Sequence, residues 1–226
     1  MQTEFDLPKP YHPHARFMAA FESCPLIAIL RGVTPSEVVA HGQALYDAGF
    51  RVVEVPLNSP DPLASIAALR QALPSDVIVG AGTVLRPTFV SDVARAGGEL
   101  IVMPHGDVET IRAAKEQGLA CAPGVATPTE AFAALASGAD VLKMFPAEQL
   151  GAHVIKAWRA VIAKRVPLVP VGGVTPENMS THVAAGANGF GLGSALYRAG
   201  QDAETTAEHA RAFIAAWHRV NEGAQR

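Results

Sequence analysis

The chain has 226 residues, 49% of them hydrophobic and only 17% charged, which excludes a disordered or polyelectrolyte protein. Basic residues number 18 and acidic residues 21, for a formal net charge of -3, and no basic stripe appears. A nucleic-acid partner therefore lacks its electrostatic footprint, and an anionic substrate must be held by a few local groups. The two cysteines, Cys24 and Cys121, lack zinc-ligand spacing and cannot make a disulfide scaffold. They read as buried thiols in a reducing compartment. No run of about 18 apolar residues offers a membrane span, and the first residues lack the apolar core of a signal peptide. A cytoplasmic protein is expected.

Residues 1–22 differ in character from the rest of the chain. Pro8, Pro10 and Pro13 interrupt any regular element. His12 and His14 invite a metal reading, but the segment holds no third ligand. A surface or oligomer-packing extension is expected here, with the folded domain running from 23 to 226.

From residue 25 a short aliphatic run alternates with an Ala-rich amphipathic stretch. The first run is Leu26 to Leu30. Thr34-Pro35 then supplies a cap and a first-turn proline for a helix from Ser36 to Ala48, which ends at Gly49. Further strands are predicted at Val52–Val55, Val77–Val79, Leu100–Met103, Leu119–Ala122, Val141–Met144, Leu168–Val171 and Gly189–Leu192. Helices are predicted at Pro62–Ala72, Pro87–Ala96, Val108–Gln117, Pro128–Ala136, Val154–Ala163, Pro176–Ala185 and Ala203–Val220. Prolines at helix starts and glycines at helix ends support these assignments. Nearly continuous apolar strands imply burial on both faces and hence parallel pairing. Eight such units in about 200 residues predict a single-domain α/β protein, a closed (β/α)8 TIM barrel. A doubly wound open sheet competes, but no G-x-G-x-x-G loop follows the first strand.

Polar residues inside these strands carry the chemistry. Lys143 interrupts Asp140-Val141-Leu142-Lys143-Met144-Phe145-Pro146, and alternation places it on one face with Val141 and Phe145. If that face points inward, desolvation exposes a nucleophilic amine able to form a Schiff base with a ketone. A strand-end lysine that snorkels to water is the plainer reading. Glu54 lies inside Val52-Val53-Glu54-Val55 and needs a partner if buried. It suits a general acid/base or a structural ion pair. Arg31 ends the first strand, where it suits a carboxylate or phosphate, or simply solvent. Thr83 follows Gly80-Ala81-Gly82, a stretch small enough for close backbone approach or for an ordinary tight turn.

Gly172-Gly173 follows the seventh strand run, and Gly193-Ser194 follows the eighth. Loops at these two positions recurrently bind phosphate in such barrels, through backbone N–H groups. A phosphorylated small molecule is therefore expected. His105 ends the fourth run and reads as a non-catalytic polar residue. No metal-ligating constellation is present, so neither a metal nor another cofactor is expected.

Taken in order, Leu26–Gly32, Val53–Leu57, Gly80–Val84, Pro123-Gly124, Leu142–Glu148 and Val171–Val174 resemble the class I 2-dehydro-3-deoxy-phosphogluconate/phosphogalactonate aldolase family. The resemblance covers about residues 24 to 200. Pro56-Leu57-Asn58-Ser59-Pro60, Val171 and Leu196-Tyr197-Arg198-Ala199-Gly200 make the chain most similar to the phosphogalactonate branch. The resemblance implies retro-aldol cleavage of 2-dehydro-3-deoxy-6-phosphogalactonate to pyruvate and D-glyceraldehyde 3-phosphate by a homotrimer. It gives Lys143 the Schiff base and Glu54 the proton transfers. Arg31 and Thr83 match positions near the keto acid carboxylate, and Pro123, Phe145 and Val171 match pocket positions. Gly172, Gly173, Gly193 and Ser194 match the phosphate site. The gluconate epimer and 4-hydroxy-2-oxoglutarate stay open as substrates. A metal-free phosphosugar isomerase or epimerase, and a sugar-phosphate sensor, stay open as functions.

Overall fold

A computed structural model describes residues 11, 12 and 14–224. Pro8, Pro10 and Pro13 lie outside the described residues. Helix α1 (Ala15–Ser23) comes first and is capped by His14, whose ring accepts from the Phe17 N–H at 3.1 Å. Strands and helices then alternate: β1 (Leu26–Ile29), α2 (Val38–Ala48), β2 (Val52–Pro56), α3 (Pro62–Ala72), β3 (Ile78–Gly82), α4 (Thr88–Arg95), β4 (Leu100–Val102) and α5 (Val108–Glu116). The second half holds β5 (Ala120–Ala122), β6 (Gly124–Val125), α6 (Pro128–Ala136), β7 (Leu142–Met144), α7 (Ala147–Trp158), β8 (Leu168–Pro170), α8 (Met179–Ala184), β9 (Phe190–Leu192) and α9 (Ala203–Ala224).

The structure corrects the expected closed eight-stranded barrel. The parallel strands form a six-stranded half-barrel ordered β5-β4-β3-β2-β1-β9 and a separate three-stranded sheet ordered β6-β7-β8. Two local causes account for the split. Pro123 has no N–H and follows the predicted run Leu119–Ala122; β5 before it pairs with β4, and a further short strand after it, β6, pairs with β7. On the other side, Gly172 at φ +106 ends the run after β8. An isolated bridge, Val171 to Gly191, and the Asn188 N–H donated to the Leu168 carbonyl at 3.0 Å then link β8 to β9.

Alternation still sorts the strands into two faces. Ile27, Ile29, Val52, Ile78, Leu100, Val102, Ala120, Ala122, Val141, Val169 and Val171 form one buried cluster between the sheets. Val53, Val55, Val79, Ile101, Cys121, Leu142, Met144 and Leu192 face the helices. Phe17 and Phe21 of α1 join the inner cluster. Arg16 donates to Glu99 and to the carbonyl of Ser75, and Tyr11 donates to the carbonyl of Asp140. These partners precede β4, β3 and β7, so α1 covers the N-terminal ends of the strands. The opposite, C-terminal ends carry Arg31, Asn58, Thr83, Phe145, Gly172 and Gly193. Helix α7 starts seven residues before the predicted Val154. Its first turn breaks at Gly151, which has the non-helical angles φ 69 and ψ 166.

Candidate active site

Glu54 and Lys143 come from different sheets. Glu54 sits at the middle of β2, in register with Ile29 and Gly80. It shares the inward face with Val52 and is 1% exposed. Lys143 sits at the middle of β7, in register with Gly124 and Val169, and is 7% exposed. Its N–H donates to the Pro123 carbonyl at 3.0 Å. Its Nζ lies 4.7 Å from the centre of the Phe145 ring, a cation–π distance.

Space for the carboxylate comes from glycine. A Cβ on Gly82 would stand 2.0 Å from Glu54 Oε2, so only a residue without a side chain fits beside it. Among the described residues Glu54 and Lys143 make no direct ion pair. Oε2 of Glu54 is buried without a hydrogen-bond donor. An orphaned buried acceptor is costly, and a bound ligand hydroxyl would satisfy it.

The two groups act on each other's ionisation. Burial raises the Glu54 carboxyl to about 7, against the opposing pull of Lys143 and Arg31. Burial lowers the Lys143 ammonium, Glu54 opposes this, and Arg31 assists it. Burial therefore leaves Lys143 more readily neutral and nucleophilic, and Glu54 poised to take and return a proton near pH 7.

Arg31 lies at the exposed rim. Its Nη1 donates to Asn58 Oδ1 at 2.6 Å and to Thr83 Oγ1 at 3.4 Å. Thr83 adopts φ +53, which costs energy for a β-branched residue. The tie to Arg31 gives that strained turn a purpose. Val171 is buried on the inner face, and Gly191 makes room for it: a Cβ there would stand 2.6 Å from Val171 Cγ2. Phe145 is half-buried against the same cluster. Pro123 is buried between β5 and β6.

At the predicted phosphate loops, Gly172 and Gly173 both have positive φ, +106 and +65. The Glu148 carboxylate lies over them, since a Cβ on Gly172 would stand 2.5 Å from its Oε2. Gly193 is open, with nothing within 4 Å of a Cβ placed there, and Ser194 is exposed. Arg198 Nε donates to the Ser194 carbonyl at 3.0 Å. This places a cation beside a loop read from its glycines alone. Sequence reasoning gives no role to Asn58, Glu148 or Arg198. Asn58 meets Arg31 across 27 positions, and no local pattern signals it.

Among the described residues, no group of three or more His, Cys, Asp or Glu side chains could hold a metal ion. No described helix is long and apolar enough to cross a membrane.

Parallel β/α units that bring a buried lysine and a buried carboxylate to one interior, with an arginine at its exposed rim, define an enzyme of carbonyl chemistry. The chain belongs to the aldolase family described as KDPG and KHG aldolase, whose family model matches residues 18–210. It is 51% identical over 196 residues to the 2-dehydro-3-deoxy-6-phosphogalactonate aldolase of Escherichia coli (strain K12), covering 87% of this chain and 96% of that one. It is 45% identical over 201 residues to a probable 2-dehydro-3-deoxy-6-phosphogalactonate aldolase of Rhizobium meliloti (strain 1021), covering 89% and 95%. A solved structure described as native KDPGal matches with a TM-score of 0.86 at 50% identity, covering 88% of this chain and 96% of that one.

Proposed function

We propose that this aldolase cleaves 2-dehydro-3-deoxy-6-phosphogalactonate to pyruvate and D-glyceraldehyde 3-phosphate through a Schiff base on Lys143. The observation that carries the reading is the buried Lys143–Glu54 pair, each group shifted toward its neutral form by burial and not locked in an ion pair. The substrate comes from the 51% identical relative.

Neutral Lys143 attacks the C2 carbonyl carbon, and the resulting carbinolamine takes up a proton from solvent and loses water to give a protonated imine. The Glu54 carboxylate takes the C4 hydroxyl proton. The C3–C4 bond breaks, its electrons flow into the iminium, and the aldehyde leaves. Protonated Glu54 returns its proton to C3 of the resulting enamine. Water then hydrolyses the imine, releasing pyruvate and free Lys143. One carboxyl can serve both transfers because it is held near 7.

Arg31 and Thr83 hold the keto acid carboxylate, with Asn58 fixing the guanidinium. Pro123, Phe145 and Val171 line the pocket. Gly172, Gly173, Gly193 and Ser194 hold the phosphate. The protein works in the cytoplasm as a homotrimer, a state that native mass spectrometry would read directly.

Borohydride trapping with pyruvate, followed by peptide mass spectrometry, tests the mechanism. A reduced pyruvyl adduct on Lys143 is expected. No adduct on folded protein at saturating pyruvate would overturn the Schiff base and bring the isomerase reading forward. Comparing cleavage of the two C4 epimers tests the substrate.

A further inference from the structure

Two loops at the C-terminal ends of the strands are braced by a pair of side chains that the mechanism does not use. The loop between β1 and α2 carries Arg31, and the loop between β9 and α9 carries Gly193 and Ser194. Glu37 closes the first loop: its Oε1 accepts the Thr34 N–H at 3.0 Å. The same oxygen accepts the Tyr197 hydroxyl at 3.2 Å, from a residue 160 positions away. Tyr197 is 2% exposed and Glu37 is half-buried, so the contact is partly shielded from solvent. Its own N–H donates to the Gly193 carbonyl at 3.0 Å, and the Leu196 N–H reaches the same carbonyl at 2.8 Å. Tyr197 thus grips the glycine loop with its backbone and the arginine loop with its hydroxyl.

The surroundings fix this brace. The His41 ring meets the Tyr197 ring edge-on at 4.8 Å, and His41 Nδ1 lies 2.9 Å from Thr206 Oγ1 of α9. The two loops also touch directly. A Cβ on Gly32 would stand 3.0 Å from Ala199 Cβ. The Gly32 N–H donates to Ser59 Oγ at 2.9 Å, next to the Asn58 that holds Arg31.

We propose that Tyr197 and Glu37 are positioning residues that set the separation of Arg31 from the Gly193–Ser194 loop. The brace thereby favours a substrate with an anionic group at each end. The proposal rests on the aldolase reading, in which Arg31 takes the carboxylate and the glycine loop the phosphate. Neither residue needs to touch substrate. A ligand that engages only the arginine end, such as pyruvate, is indifferent to the brace. The six-carbon phosphorylated keto acid is sensitive to it.

Tyr197→Phe removes one hydroxyl and keeps the ring against His41. With the phosphorylated six-carbon substrate its KM should rise about tenfold, the effect of one hydrogen bond to a charged acceptor, with kcat within about twofold of the parent. The pyruvate concentration for half-maximal borohydride labelling should stay within about twofold. Glu37→Gln keeps an oxygen that accepts both bonds but loses its charge, and should raise KM only about threefold, between the parent and Tyr197→Phe. Glu37→Ala should behave like Tyr197→Phe. A merely structural role would lower the melting temperature without splitting the two ligands. Unchanged KM in Tyr197→Phe, or equal weakening of pyruvate and the six-carbon substrate, overturns the proposal. Failure of the unmutated enzyme to cleave the phosphorylated substrate or to label on Lys143 overturns the aldolase reading itself, and the proposal falls with it.

Discussion

Gly82 and Glu54 occupy space that only one side chain can fill. A Cβ on Gly82 would lie 2.0 Å from Oε2 and 2.4 Å from the carboxyl carbon of Glu54. The glycine belongs to β3 and pairs with Pro56 of β2, so the ladder itself delivers it to the carboxylate. Gly82→Ala should therefore push the carboxylate off its position. Overpacking of this kind costs about 1–3 kcal/mol. Urea unfolding should show that loss, and turnover should fall by more than pyruvate labelling does, because Lys143 lies in the other sheet.

Glu54→Gln keeps the shape and removes the base. Turnover should drop by about 10²–10⁴-fold, the usual range for a general acid/base, while pyruvate still labels Lys143. The pH dependence follows from burial. The folded carboxyl sits at about 7, above its ordinary value of 4.5, so the folded protein binds the extra proton between those values. The stability this gives is fully present below 4.5 and is lost as pH rises through 7. Glu54→Gln should thus be more stable than the parent at pH 8, with the difference shrinking toward pH 5. At about 1.4 kcal/mol per unit, the full span is on the order of 3 kcal/mol. Denaturation at both pH values checks the sign. The parent's kcat/KM should climb through about pH 7 as Glu54 ionises, and the variant's residual activity should lack that limb.

Asp140 is a separate buried charge, placed just before β7. It is 0% exposed and accepts from Lys115 Nζ at 2.7 Å and from the Cys121 N–H at 2.6 Å. The His14 N–H also donates to it. Removing one partner of a buried pair costs about 3–5 kcal/mol. Asp140→Ala should fall at the lower end, since Lys115 is part-exposed and water can take over some of its solvation. Asp140→Asn keeps one acceptor and should lose less. Urea midpoints of the two variants would separate charge from hydrogen bonding.

Local chemistry was legible in the sequence, and long-range closure was not. The helices Pro62–Ala72 and Pro128–Ala136 begin and end where the prolines and apolar periodicity place them. Helix α7 did not follow its periodicity, because Gly151 hides a turn that starts at Ala147. The eight-strand count failed at Pro123. The predicted run Leu119–Ala122 stops before the proline, and the two-residue strand Gly124–Val125 beyond it is too short to show a periodicity. Lys143 and Glu54 stand out in sequence because a charge inside a buried strand is rare. That they face one interior, with Gly82 cleared for the carboxylate, depends on pairing between strands. The Arg31–Asn58 and Glu37–Tyr197 contacts span 27 and 160 positions and leave no local trace.

Phe17 offers the sharpest test of how the interior is closed. It is fully buried, stacks on Phe21 at 5.7 Å between ring centres, and packs on the inner cluster with Ile27, Val52 and Val141. Its helix covers the N-terminal ends of the strands, while Arg31, Asn58 and Thr83 lie at the C-terminal ends. Phe17→Ala should leave a cavity and cost about 3–5 kcal/mol, because short strands on several sides cannot all collapse into it. The chemistry lies at the other end of the strands, so pyruvate labelling of Lys143 should persist at temperatures where the variant is still folded. Urea unfolding beside labelling at low temperature checks both halves. A loss well under about 1 kcal/mol would mean that α1 rests on the strand ends without sealing them. Loss of labelling in folded protein would mean that the inner cluster transmits a change at Phe17 to Lys143 through Val141.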